Sequence, residues 1–320
     1  MQAAVMRAIG GFGLGLLLAG AAHAQPLEDD TGSLARASAA NKAGDFPASV
    51  GIYQAMTDRG SAIGPSMLGL MYWSGRGVAA DRSRACDLFV VAEQRGDPTG
   101  TELLGDCYFH GAGRAQDYLK SAQLYERASK RGFAMADCAL GNQYLQGLGV
   151  KKDPAKAFAL CRNSADKGVA DAQTDLGQMY LMGSGTEQNY AQAARWFRKA
   201  ADQGQANAGF LLGTMYWNGD GVERNHDEAA KVWQMSAQRG NPSAPGRLAK
   251  HYFTLAVKDN AIVPEPAIQA AYWGSVAARI DPDPAARTDS QKLVDMLYAQ
   301  SPGLKPKVDE LLAKSGASVN

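Results

Sequence analysis

Apolar positions recur along this chain at spacings of three and four residues, and glycine interrupts them at regular intervals. In residues 170–204, "ADAQTDLGQMYLM" puts Ala172, Leu176, Met179 and Tyr180 on one face of a helix. "GSG" ends that helix, because glycine enters the left-handed cap conformation without steric cost. "NYAQAARWFRKAADQG" then turns Ala194, Phe197, Ala200 and Ala201 inward on a second helix, and Gly204 stops it. The pattern predicts a helical hairpin: helix, glycine turn, helix, glycine stop.

The hairpin repeats. Leu68-Gly69, Leu104-Gly105, Leu140-Gly141, Leu176-Gly177 and Leu212-Gly213 stand 36 residues apart, and Leu248-Ala249 continues the series. Four residues after each leucine comes a tyrosine: Tyr72, Tyr108, Tyr144, Tyr180, Tyr216 and Tyr252. Two turn glycines follow in the first five copies, from Gly75 and Gly77 to Gly219 and Gly221. A fixed period of this length marks a stacked repeat architecture. The glycine of each Leu-Gly pair lies inside a helix, where it costs about 1 kcal/mol relative to alanine. Its return in five copies predicts a packing role, with the missing side chain letting two helix backbones approach.

The pattern A-x-x-x-L-G-x-x-Y-x-x-G-x-G-V, followed by a charged loop and an Ala-rich helix with an aromatic residue, resembles the Sel-one-like repeat, a relative of the tetratricopeptide repeat. The resemblance covers about residues 61–280, five copies well and a sixth poorly. It implies an all-α fold, a right-handed α-solenoid superhelix of antiparallel helix pairs, that serves as a scaffold for protein complexes. Many bacterial members are exported.

The ends depart from the pattern. Residues 25–60 read as a tetratricopeptide-like capping unit, with Gly60 in register. The sixth unit loses its turn glycines, and Pro264 and Pro266 predict a longer irregular loop before Tyr272 and Trp273. Within the C-terminal cap, 281–320, helices are expected over 288–300 and 304–315, separated by Pro302-Gly303. Residues 1–24 have the layout of a signal peptide: Arg7, an apolar glycine-rich run, then Ala22-His23-Ala24 before Gln25. The run is short for a membrane span, so stable insertion after cleavage is not expected. The expected location is periplasmic or secreted.

The formal net charge of +1 gives no basic stripe for a nucleic-acid backbone. Four cysteines allow three connectivities. Partners on antiparallel neighbouring helices lie equidistant from a turn. Cys86 and Cys107 straddle 96–97, and Cys138 and Cys161 straddle 149–150. That geometry favours Cys86–Cys107 and Cys138–Cys161, with four small buried thiols as the alternative.

Candidate chemistry is sparse. No catalytic residues, cofactor site or metal site are expected: the histidines do not cluster, and the turn glycines lack the lysine and strand of a phosphate loop. Ser164-Ala165-Asp166-Lys167 fits S-x-x-K, which would suit a β-lactamase-like or cell-wall-active enzyme, but no companion motif follows. What remains is surface. The residue after each tyrosine is Trp73, Phe109, Leu145, Leu181, Trp217 and Phe253, an apolar row with one member per repeat. The row fits a binding stripe for a protein or peptide in the concave groove, with aromatic anchors, and fits packing between repeats somewhat better. Glycan binding by its aromatics is a lesser alternative. Two positions beside the row vary from copy to copy: Leu70, Asp106, Asn142, Gln178, Thr214, Lys250, and Ser74, His110, Gln146, Met182, Asn218, Thr254. Constant joints with variable polar neighbours suit a shared scaffold with individual specificity.

Overall fold

The computed structural model describes residues 30–258 and 261–315; the expected signal peptide and its cleavage point lie outside the described residues. The architecture is an all-α solenoid of consecutive helix pairs, sixteen α-helices among the described residues. By compactness the chain divides at Ala172/Gln173, and the two units are taken separately.

The first unit runs α1 (Asp30–Lys42), α2 (Phe46–Asp58), α3 (Gly64–Ser74), α4 (Arg82–Gln94), α5 (Pro98–His110), α6 (Tyr118–Lys130), α7 (Ala134–Gln146) and α8 (Pro154–Asp166). Each helix packs on the next. The first helices α3 and α5 of successive repeats also touch directly. Tyr53, Met56, Leu68, Phe89, Leu104 and Cys107 form the core at its start.

The second unit starts on α9 (Ala170–Met182) and continues α10 (Tyr190–Asp202), α11 (Ala206–Asn218), α12 (His226–Gln238) and α13 (Ala244–Ala256). Ala194, Phe197, Ala200 and Ala201 are buried as the apolar pattern requires. The degenerate sixth copy differs from the expected irregular loop. A short antiparallel ribbon, β1 (Val257–Lys258) with β2 (Ala261–Ile262), replaces the glycine turn. Helix α14 (Pro264–Ile280) then starts directly at Pro264. Proline at the first helical turn loses no hydrogen bond, so it opens the helix here. The same device starts α15 at Pro284, four residues before the expected 288, with Asp283 accepting from the Ala285 amide. Helix α16 (Lys305–Lys314) is the last described helix and packs on α14.

Three regular joints hold the hairpins. First, the loop before each second helix ends in an N-cap: Asp81, Asp117, Asp153, Asn189 and Asn225 accept from the amide three residues on. The same five residues donate their own backbone N–H to the carbonyl of the repeat tyrosine, at 2.8–2.9 Å. The cap thus satisfies an orphan donor at one helix and ties it to the end of the other.

Second, the glycine of the Leu-Gly pair meets an aromatic ring, which corrects the expected contact between backbones. A Cβ on Gly69 would enter the Phe89 ring, and one on Gly105, Gly177 or Gly213 would meet Tyr125, Phe197 or Trp233 at 2.5–2.6 Å. These rings lie on the second helix of the same hairpin, 20 residues downstream in every case. Only Gly141 lacks a ring. There Cys161 occupies the position, and a Cβ would meet its sulfur and the Ala157 carbonyl at 3.0 Å. Gly69→Ala is therefore expected to cost about 1–3 kcal/mol by overpacking. Combined with Phe89→Leu, the double variant should be more stable than the two single losses predict when summed, by at least about 0.5 kcal/mol. Urea unfolding of the four proteins in this cycle measures the coupling, and strict additivity would remove the ring from the explanation.

Third, the second turn glycine lies against the preceding repeat. A Cβ on Gly77 would strike the Phe46 backbone, on Gly113 that of Arg82, on Gly149 that of Tyr118, and on Gly221 that of Tyr190.

The cysteines pair as 86–107, between α4 and α5 of successive repeats, and as 138–161, within the hairpin α7–α8.

Candidate functional site

Helix periodicity puts the apolar row on the first helices, one residue after each tyrosine. In the first unit Trp73, Phe109 and Leu145 are all half-buried. The Trp73 ring sits 6.4 Å from Phe89, with the Arg82 guanidinium 5.6 Å from its centre. Phe109 meets Tyr118 edge-on at 5.4 Å. In the second unit Leu181, Trp217 and Phe253 are also half-buried. Trp217 stacks on His226 at 4.1 Å, lies 5.5 Å from Trp233, and meets His251 edge-on at 5.9 Å. Arg82, Tyr118 and His226 share one register: each is the first residue of its second helix. Trp73, Phe109 and Trp217 thus pack against side chains of their own hairpins, and Trp217 also meets His251 of the next repeat. The period alone gave the position of these residues but not their depth.

The row two residues after each tyrosine is more open. His110, Gln146, Met182, Asn218 and Thr254 are exposed, and Ser74 is half-buried. Met182 is 75% exposed, an unusual position for a large apolar side chain.

A charged feature missed by the sequence reading lies on α5. Glu102 and Asp106 are one turn apart, and Tyr125 from α6 donates its hydroxyl to Asp106 Oδ1 at 2.5 Å. Burial and then the neighbouring Asp106 charge push the Glu102 carboxyl well above its ordinary range. Burial also raises Asp106, against the Tyr125 hydrogen bond and the nearby His110 charge. Burial, together with the two carboxylates, holds the Tyr125 phenol protonated. Glu102 could have been found as the acidic residue at a register position filled by Ser66, Cys138 and Thr174 in other copies.

A carboxyl raised in the folded state binds more protons there than in the unfolded chain. Its contribution to stability is therefore lost as pH rises from about the ordinary 4.5 towards the raised folded value. His251, depressed by burial, works in the opposite sense as pH rises towards 6.5. Comparison with Glu102→Gln isolates the carboxyl. The variant should melt at a higher temperature than the native chain at pH 7.5, and the gap should shrink at pH 5. Thermal melts across that range check this, and a lower melting temperature for the variant at pH 7.5 would refute it.

Chemistry elsewhere is poor. Ser164 is fully buried, no partner reaches its hydroxyl, and Lys167 turns to Asp137 at 3.4 Å. The S-x-x-K match is thus the ordinary end of α8. All four cysteine sulfurs are bound to each other and offer no thiolate to a metal. No described helix is long and apolar enough to cross a membrane.

The Sel1 repeat model matches five consecutive segments: residues 66–97, 101–133, 134–169, 170–205 and 206–241. Among solved structures the chain is similar to a protective antigen of uropathogenic Escherichia coli strains that displays an SLR fold, with 28% identity and a TM-score of 0.59. That match covers 85% of this chain but 57% of the antigen, so the chain spans little more than half of that protein's length. A Sel1 repeat protein from Oxalobacter formigenes is similar in fold, with 22% identity and a TM-score of 0.63 over 79% of this chain and 99% of that one. No match was found among curated proteins.

Proposed function

The chain belongs to the Sel1 repeat family, whose members are in general protein-interaction scaffolds, and on that premise we propose that it binds a partner protein or peptide along its first-helix face. The observation that carries this reading is the division of labour along the repeat. The leucine, glycine, tyrosine and turn glycines make the joints. The exposed row from His110 to Thr254 takes no part in them and differs in every copy. The apolar row beside it supplies partly buried edges of the kind that anchor a peptide. Export to the periplasm or beyond is part of the proposal, supported by two disulfides, which persist in oxidising compartments. Envelope regulation, assembly or host contact are the settings it suits.

Affinity capture from envelope extract tests the reading. A partner held by the native chain should be lost with His110→Ala/Gln146→Ala on the first helices. It should be kept with Glu126→Ala/Lys130→Ala, on the outer side of α6. A partner that survives the first pair, or no specific partner at all, would sink it.

A further inference from the structure

We propose that His226 and His251 form an acid-opened latch on Trp217, one that holds the sixth repeat to the fifth near neutral pH and releases it as the two imidazoles gain protons. Apart in sequence, the two histidines meet on one ring. The His226 imidazole, at the start of α12, stacks on the indole with ring centres 4.1 Å apart and planes 21° apart. His251, from α13 of the next repeat, meets the same indole edge-on at 5.9 Å. Trp233 of α12 lies 5.5 Å from Trp217 and completes the cluster. Helix α12 packs on α13 here, with Ala230, Trp233, Leu248 and Ala249 in one buried core.

Histidine is not what the joint requires. The register of His251 is filled by Met71, Cys107, Gln143, Met179 and Met215 in the other copies, and that of His226 by Arg82, Tyr118, Pro154 and Tyr190. Methionine meets the packing need at Met179 and Met215, which are both buried. The sixth copy alone puts an imidazole there, a group that changes charge between about pH 5 and 8. His251 is 5% exposed, and a charge at that depth is unfavourable unless paired. Burial holds its imidazole below the ordinary range, against the pull of Asp227 and with the push of His226. Both of those groups lie on α12. Helix α11 has no acidic or basic residue, Arg247 and Lys250 of α13 are exposed, and α14 has charges only in its first and last turns, Glu265 and Arg279. Asp227 is itself exposed, where water and salt screen its attraction. An imidazolium at His226 can stay on the indole face, which attracts cations. It also sets a like charge beside His251, and its Nε2 can no longer accept from Arg224 Nε, a bond of 3.1 Å in the neutral ring. The stability that neutral His251 contributes is present above about the ordinary 6.5 and is lost as pH falls through the lower folded value.

Hydrogen exchange of the full chain at pH 7.5 and pH 5.0 tests the latch, with each variant compared to the native chain at the same pH so that intrinsic rates cancel. His251→Met and His251→Gln supply the residues of the fifth and third copies. For both, the ratio of native to variant exchange over 244–256 should rise at least about threefold from pH 7.5 to pH 5.0. The ratio over 170–202 should stay level. His226→Tyr, the residue of the fourth copy, should weaken the acid response over 244–256 without abolishing it. An unchanged ratio over 244–256, a rise of the same size over 170–202, or an acid response untouched by His226→Tyr would overturn the latch.

Discussion

Alanine at Gly149 is expected to cost the protein about 2–5 kcal/mol, while alanine at Gly132 costs about 1–2 kcal/mol. Both glycines have positive φ, 68° and 83°. A residue with a Cβ loses roughly 1–2 kcal/mol in that region. At Gly132 nothing else lies within 4 Å of the added atom, so the loss ends there. At Gly149 the atom would fall on the Tyr118 carbonyl, the backbone of the preceding repeat. Overpacking adds about 1–3 kcal/mol, and backbone has no rotamer by which to retreat. Urea unfolding of the two variants separates the contributions. Equal losses would mean that Gly149 is needed only for its turn and that the repeats are not docked through it.

The second large effect concerns the third hairpin. Removing either disulfide should cost about 3 kcal/mol through the unfolded chain, because the sequence separations, 21 and 23, are nearly equal. The folded state breaks the tie. Without Cys86–Cys107, Phe89 still fills the notch at Gly69 and Tyr125 the one at Gly105. Without Cys138–Cys161, no ring holds α7 to α8 at Gly141. Cys138→Ala/Cys161→Ala should therefore lose about 1–2 kcal/mol more than Cys86→Ala/Cys107→Ala, a difference of cavity type. Hydrogen exchange should also rise over 134–166 in the first variant, and only weakly over 82–110 in the second. Equal stability and equal exchange would show that Cys161 does not stand in for the ring.

The repeat and its helical hairpins were legible because both follow from period, and the cysteine pairing because each pair straddles a turn between antiparallel helices. A residue that returns every 36 positions is a construction element. The partner of the helix-interior glycine was legible in the same way but was not read: Phe89, Tyr125, Phe197 and Trp233 keep the same register. The depth of the Trp73 to Phe253 row was not legible. Period states that six residues are equivalent, whereas depth depends on what the next helix places over them, such as Arg82 or His226. The sixth copy escaped because proline reads both as a loop residue and as a helix opener. Which role Pro264 plays is decided by the strand pair before it. The acid pair was hidden for a different reason. Asp106 was noted only as one of several polar variants, and the burial of Glu102 comes from packing between α5 and its neighbours.

The central claim is that the first-helix face is where this scaffold meets its partner. A photo-crosslinking amino acid placed in turn at His110 and Gln146, and at Glu126 and Arg162 on the second helices, measures that directly in intact cells. Crosslinks to one protein from the first two positions and none from the last two are the predicted result. Crosslinks confined to Glu126 and Arg162 would contradict it.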